Sequence, residues 1–413
     1  MTANLPHGWE VVRLSELAHV VSERNLANDD IPVLSMTKYD GFVDSLEYFK
    51  KQVFSKDTTN YKVVRRGQFA YATIHLDEGS IDLLDTYEAG LISPMYTVFE
   101  PNLNKVDPQF FRALLKSERM ISRYGQLGQG SINRRKSIGF KVLGTLDIAL
   151  PTLPEQKKID AILGSVDEAI QATQAVFDQT RKVKQGLLQQ LLTHGIGHTR
   201  FKQTEIGEIP EGWEVVPLNN VAHVQTGLAK GKKAINNPIE LPYLRVANVQ
   251  DGHLNLAEIK TITVPKASIE RYRLQPGDVL LTEGGDLDKL GRGDIWRGQI
   301  DLCLHQNHVF AVRTDSKRLL PDFLSAQTGS SYGKRYFISC AKQTTNLASI
   351  NSSQLKAFPV LLPPIKEQEE IVNSVAAVAE KIDREQASLV NLLRLKQGLM
   401  QDLLTGHVRV GHT

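Results

Sequence analysis

Apolar residues recur by threes and fours over residues 156–193. The stripe runs Ile159, Leu163, Val166, Ile170, Phe177, Leu187 and Leu191, with Thr173, Thr180 and Lys184 on the same seam. A second stripe carries Ile371, Val375, Val378, Ile382, Leu389, Leu392, Leu399 and Leu403. Both fit a heptad and predict two long helices, each roughly 55–60 Å at ~1.5 Å per residue. Prolines stand ahead of them, Pro151 and Pro154 in one case and Pro363 and Pro364 in the other, which suits a first turn. Gly195 and Gly406 follow the last apolar positions and suit helix stops. Alone, either stripe would face water. The simplest burial is one helix against the other as an antiparallel pair.

The segments ahead of the helices, about 5–150 and 209–362, have mixed patterning. Tyr243–Val249 reads as a strand followed by an Asp251-Gly252 turn. Gly277-Asp278 reads as a turn into a buried strand at Val279–Leu281, and Gly67-Gln68 before Phe69–Tyr71 is its counterpart. Phe110–Leu115 and Phe323–Ala326 read as short helices late in each segment. Tyr124–Gly130, with three glycines, reads as a flexible loop.

The chain repeats itself. Gly8-Trp9-Glu10-Val11-Val12 and Ala18-His19-Val20 return, at one spacing, as Gly212-Trp213-Glu214-Val215-Val216 and Ala222-His223-Val224. Leu150-Pro151, Glu155-Gln156, Lys184–Leu187 and Leu191–Thr193 return, at a slightly longer spacing, as Leu362-Pro363, Glu367-Gln368, Lys396–Leu399 and Leu403–Thr405. The ends match and the middles diverge, so one scaffold is used twice to carry two different surfaces. Two-fold pseudo-symmetry follows from pairing the helices.

Composition changes this picture little. The 413 residues are 41% hydrophobic and 23% charged, ordinary for a soluble globular protein of two or three domains. No apolar run has the length of a membrane span, and the first residues lack the pattern of a secretory signal. Two cysteines, Cys303 and Cys340, argue for a reducing compartment, and a cytoplasmic location is expected. A net charge of +3 permits nucleic-acid binding without demanding it.

Candidate chemistry is sparse. Cys303, His305 and His308 form a C-x-H-x-x-H cluster, but three ligands along one strand do not close a tetrahedral site, and no metal is expected. Asp251, Glu258 and Lys260 faintly resemble a nuclease cluster; solvated strand residues explain them better. The glycines near Gly125 are a weak nucleotide signal, and a Walker lysine motif and an amino-methyltransferase motif are both absent. Polar loops are more informative. Ser131–Lys136 holds three cations, and its positional counterpart is Gln343–Leu347, since Ile138 matches Ile350. Lys230, Lys232 and Lys233 form another basic cluster. Arginine, lysine, asparagine and glutamine suit phosphates and base edges.

The repeated Gly-Trp-Glu-Val-Val-x-Leu start, the Leu-Pro-(x)3-Glu-Gln-(x)2-Ile opening of each helix and its Lys-Gln-Gly-Leu-(x)3-Leu-Leu-Thr end together resemble the specificity subunit of a type I restriction-modification system. The resemblance covers essentially the whole chain. Pro276–Asp286 with Leu290-Gly291-Arg292-Gly293 also resembles a frequent target-recognition pattern. Gly67–His75 in the first copy lacks its Gly-Gly-Asp run, so the two copies should read different half-sites.

The resemblance implies an α/β (α+β) fold: two globular target recognition domains related by pseudo-two-fold symmetry, joined by two long helices packed as an antiparallel coiled coil. The implied boundaries are 1–154 for the first recognition domain, 155–195 for the central helix, 196–362 for the second domain and 363–413 for the C-terminal helix. It implies no catalytic centre in this chain. Two methyltransferase (modification) subunits would dock on the helices and carry S-adenosylmethionine; restriction subunits would carry ATP and Mg; double-stranded DNA would be bound as a bipartite asymmetric site. The expected DNA-binding residues are Lys38, Tyr39, Thr73, His75, Asn133, Arg134, Arg135 and Lys136 in the first copy. In the second they are Lys230, Lys232, Lys233, Arg245, Asn248, Glu283, Arg292, Gln306, Asn307, His308, Thr344, Thr345 and Asn346. Ile159, Val166, Ile170, Phe177, Leu187, Leu191, Ile371, Val378, Ile382, Leu389, Leu399 and Leu403 are expected to form the coiled coil and docking surface. The competing reading is a non-catalytic adaptor whose two domains bind protein.

Overall fold

The computed structural model describes residues 5–27, 29–127, 137–229, 236–285, 289–343 and 348–410. The chain divides into two compact units, one of residues 1–174 with 387–413 and one of residues 175–386. Each unit holds a mixed helix-and-strand domain and portions of both long helices.

The repeat in the sequence is a repeat in topology. In the first unit, Glu10–Arg13 pairs antiparallel with Asp147–Leu150, with Glu10 opposite Leu150. In the second, Glu214–Pro217 pairs antiparallel with Pro359–Leu362, with Glu214 opposite Leu362. The central sheets also agree. The first runs Ala18–Val21, Tyr96–Pro101, Phe69–Ala72, Ile81–Leu83 in spatial order; the second runs Ala222–Thr226, Val309–Thr314, Val279–Thr282, Gly293–Ile295. All neighbours in both are antiparallel. Two short helices cover each sheet, Pro108–Leu115 and Glu118–Leu127 in the first unit, Pro321–Gly329 and Ser331–Cys340 in the second. Phe69, Phe99, Phe110 and Phe111 fill the first core, and Phe310, Phe323, Phe337 and Trp213 the second. Burying each such ring contributes about 1.5–3 kcal/mol.

The additions to this frame differ. The first unit adds the hairpin Leu34–Thr37 with Gly41–Asp44 and the pair Lys62–Arg65 with Ala89–Ile92. The second adds Pro238–Leu244 with Lys260–Pro265, plus a parallel pairing to Leu304–His305.

The long helices span Leu153–His194 and Ile365–Leu403. In the first unit Ile159 and Leu163 share a core with Leu403 and Leu404, so the start of one helix lies against the end of the other. Lys396 Nζ adds an ion pair to Asp167 Oδ1 at 2.5 Å. In the second unit Leu191 and Leu192 share a core with Ile371, the end of one helix against the start of the other. The pairing is therefore antiparallel. Elsewhere on the helices Val166 and Thr180 are buried, while Ile170, Phe177, Leu187, Val378, Ile382 and Leu389 are half-buried.

Two expectations need correction. The strand expected over Tyr243–Val249 ends at Leu244, and Val246–Asn248 form a 3-10 turn. Asn248 causes this, because its Oδ1 accepts from Arg245 N at 2.9 Å and folds the chain back. The loop expected from Tyr124 onward is helical to Leu127, since Met120 and Tyr124 are buried one turn apart and Tyr124 Oη donates to Leu115 O at 2.9 Å.

Candidate nucleic-acid interface

Each unit locks its domain to a helix start with the same three side chains. Trp9 Nε1 donates to Glu155 Oε2 at 3.1 Å, and Trp213 Nε1 donates to Glu367 Oε2 at 3.0 Å. The next residue on each helix is a buried glutamine. Gln156 accepts from Asp107 N at 2.8 Å and donates to Lys105 O and Pro151 O at 3.0 and 2.9 Å. Gln368 accepts from Leu320 N at 2.9 Å and donates to Arg318 O and Pro363 O at 2.8 and 2.9 Å. These amides satisfy backbone groups that would otherwise be buried or partly buried without partners.

The chain that leaves each helix returns to the lock. Gly406 (φ +72°) lets the terminal segment pass Trp9, and Arg409 then grips Glu155 at 2.8 and 3.0 Å and His7 O at 2.7 Å. Hydrogen bonding to Glu155 raises the Arg409 pKa further above its ordinary range. Gly195 (φ +65°) does the same beside Trp213, where His198 Nε2 lies 2.8 Å from Glu367 Oε1. A Cβ on either glycine would come within 2.8 Å of Trp213 or 3.1 Å of Trp9.

These frames present a rim of strand ends. In the second unit the turn Gln306–His308 lies at its centre. Gln306 N donates to Leu244 O at 2.9 Å, Asn307 N to Leu228 O at 2.9 Å, and Glu283 N to His308 O at 3.0 Å. Thr282 N donates to Arg292 O at 3.0 Å and Ile350 N to Glu283 O at 2.8 Å. Arg245, Glu283, Arg292, Gln306, Asn307 and His308 thus converge from separate strands. His308 Nδ1 sits 2.5 Å from Glu283 Oε2. Arg245 reaches Glu258 at 3.5 Å, and among the described residues Arg292 has no ion pair. The Nε of each arginine is buried without a partner, the only such side-chain atoms among the described residues. The guanidinium groups of Arg245 and Arg292 suit acceptor-rich partners.

The first unit has the equivalent contact with different chemistry. Ile138 N donates to Thr73 O at 2.8 Å, matching Ile350 on Glu283. Thr73 Oγ1 donates to Met95 O at 3.2 Å, and exposed His75 lies 3.2 Å from Glu78. Lys38 and Tyr39 form the exposed hairpin turn, with Lys38 Nζ 5.2 Å from the Tyr39 ring centre. Among the described residues no hydrogen bond or ion pair joins this turn to Thr73 or His75.

Comparison with known proteins gives this geometry a family. Residues 6–178 and 210–394 match the type I restriction modification DNA specificity domain. The chain belongs to that family. The sequence is 25% identical over 421 residues to the type I restriction enzyme MjaVIII specificity subunit of Methanocaldococcus jannaschii, covering 98% of this chain and 94% of that subunit. It is 27% identical over 314 residues to the EcoKI specificity subunit of Escherichia coli, covering 71% of this chain and 63% of that one. The fold matches a solved chain from a study of complex assembly in the type I R-M system, at a TM-score of 0.62 and 19% identity, over 98% of this chain and 100% of that chain. The HsdS subunit of Thermoanaerobacter tengcongensis matches at 0.50 and 18% identity, over 98% of this chain and 99% of that one.

Within this specificity-family chain the expected contact residues fall into four groups, one of them the separate hairpin turn of Lys38 and Tyr39. The rim holds Arg245, Glu283, Arg292, Gln306, Asn307 and His308 in the second unit, and Thr73 and His75 in the first. Asn133, Arg134, Arg135, Lys136, Lys230, Lys232, Lys233, Thr344, Thr345 and Asn346 lie outside the described residues. Asn248 is a correction. It is buried, its Oδ1 accepts from Arg245 N, and its amide nitrogen donates to Asn255 O and Glu258 O at 2.9 Å each, so it shapes the rim from behind and is not presented to a base.

Other sequence candidates disperse. Asp251 pairs with Lys334 at 2.6 Å while Glu258 sits between Arg245 and Lys260. Cys303 and His305 are inside the core; burial pushes the Cys303 thiol up to about 12 and His305 below the ordinary histidine range, with His305 Nδ1 2.7 Å from Val309 O. Among the described residues no group of three or more His, Cys, Asp or Glu could hold a metal ion, and no helix is long and apolar enough to cross a membrane. The Trp–Glu–Gln lock recurs in the sequence without any local sign that the three side chains meet, and the exposed Leu46–Lys56 segment carries no motif.

Proposed function

We propose that this chain recognises a bipartite asymmetric DNA site, with each unit reading one half. In this reading the long helices dock two methyltransferase subunits and set the half-site spacing. The chain itself is non-catalytic; S-adenosylmethionine, ATP and Mg act on partner subunits. The observation that carries the reading is the contrast at matched positions: Ile138 and Ile350 pin equivalent strand ends, yet one rim offers Thr73 and His75 and the other Glu283, Arg292 and His308. A shared frame with unlike polar faces suits two unlike sequences.

The test is binding of the assembled methyltransferase to cognate duplexes and to duplexes with one half-site scrambled, across a salt series. Arg292→Ala or Arg245→Ala should cost about 1–3 kcal/mol at one position of a single half-site if it reads a base, or weaken all sequences alike if it meets a phosphate. An insertion of about four residues in the central helix, one turn or ~5–6 Å, should change the spacer and leave both half-sites unaltered. Equal affinity for cognate and scrambled duplexes would return the chain to the class of protein-binding adaptors.

A further inference from the structure

The first unit carries a surface that the rim does not explain. Asp44 caps a short helix, Ser45–Phe49, by accepting from Leu46 N and Glu47 N at 2.8 and 3.0 Å. Ser45 is buried, and its Oγ lies 2.7 Å from Ser35 Oγ on the neighbouring strand, so the helix is fixed to the hairpin. The rest of the helix points outward. Leu46, Tyr48, Phe49 and Val53 are 51%, 49%, 40% and 48% exposed. Tyr48 and Phe49 pack edge to face, with ring centres 5.0 Å apart. Water is a poor partner for exposed apolar side chains.

Lysines neighbour them along the chain. Lys50 ends the helix in the left-handed region (φ +53°), and Lys51 and Lys56 follow, all exposed. Among the described residues none of the three has an ion pair. Within Leu46–Lys56 the only carboxylate is Glu47. Asp57, next along, is engaged by Thr59 N and Oγ1 at 3.0 and 2.6 Å.

This combination discriminates between partners. Protein interfaces favour aromatic residues but are depleted in lysine. Nucleic-acid surfaces use unpaired lysines against phosphates and aromatic or apolar side chains against bases and sugars. We propose that Leu46–Lys56 is a second DNA-contacting surface of the first unit, with Lys50, Lys51 and Lys56 on phosphates and Tyr48 and Phe49 against the sugar–base wall of a groove. The proposal rests on the DNA-reading function above and adds an element that positions the duplex without choosing its sequence.

The experiment uses the complete methyltransferase and a fluorescein-labelled cognate duplex. In the triple variant Lys50→Ala, Lys51→Ala, Lys56→Ala, the slope of log affinity against log salt should flatten by about 2–3, at ~0.9 per phosphate contact. The preference for cognate over scrambled duplex should survive. The triple arginine variant should keep the parent slope. Tyr48→Ala with Phe49→Ala should weaken cognate and scrambled duplexes alike, by about tenfold. A benzophenone side chain at position 48 should cross-link to the duplex. A triple-alanine slope equal to the parent's, or a cross-link made only to a protein subunit, overturns the proposal. A parent complex that fails to discriminate the scrambled duplex instead sinks the DNA-reading function beneath it.

Discussion

The two units share a lock and differ in the bolt. Trp9 with Glu155 and Gln156, and Trp213 with Glu367 and Gln368, are the same arrangement to within a few tenths of an ångström in each hydrogen bond. The returning segment contributes the Arg409 side chain in one unit, with two hydrogen bonds to the carboxylate and one to His7 O; in the other it contributes one contact from the His198 side chain and one from Ile196 N, which donates to Glu367 Oε1 at 3.0 Å. The parts that join domain to helix are thus held to one solution, because they must close buried backbone. Parts that face outward are free to differ, and it is there that Glu283, Arg292 and His308 replace Thr73 and His75.

The strongest challenge to this equivalence is to remove the glutamines. Gln156→Leu and Gln368→Leu each leave one buried and two partly buried backbone groups unpaired, at ~1–3 kcal/mol for the buried one and less for the others. Each variant should lose about 3–5 kcal/mol, measured by urea unfolding with hydrogen exchange read separately in the two units. A loss confined to one variant would break the idea of a common frame.

The bolts should separate the units. Arg409→Ala should loosen the first unit more than His198→Ala loosens the second, because a forked, three-bond grip is lost in one case and a single contact in the other. His198→Arg should tighten the second unit toward the first. Exchange protection at Trp9 and Trp213 is the readout; equal loosening would mean the returning segments act through packing and not through the carboxylates.

Acid offers a smaller distinction. Burial holds the His305 pKa below its ordinary value, partly offset by the contact with Val309 O. The unfolded chain therefore takes up this proton more readily than the folded one. Stability from His305 is complete above the unfolded histidine range, ~6.5, and is lost as pH falls toward the folded value. The second unit should lose exchange protection between about pH 7 and pH 5 more than the first, and His305→Gln should reduce the difference. A pH response that is the same in the variant would assign the effect to other groups.

Much of this was legible in the chain. The helices showed through period, the frame through the recurrence of Trp9 and Glu155 at Trp213 and Glu367, and the turns through Gly67 and Gly277. The bolts were not, because Arg409 and His198 are unlike residues whose equivalence exists only once both segments have folded back on their glycines. Asn248 misled for a related reason. An asparagine can read a base or close a turn with the same atoms, and only its burial beside Asn255 O and Glu258 O decides. The Leu46–Lys56 surface was hidden because its apolar residues look like core until Ser45 is seen to be the buried one.

The central claim, one unit for one half-site, is tested most directly by exchange. Residues 209–362 would be replaced by the corresponding segment of another specificity-family chain, and the methylated adenines of cells carrying the hybrid methyltransferase mapped. One half-site should change to that of the donor while the other half-site stays as it was. A change in both half-sites, or in neither, would contradict the account.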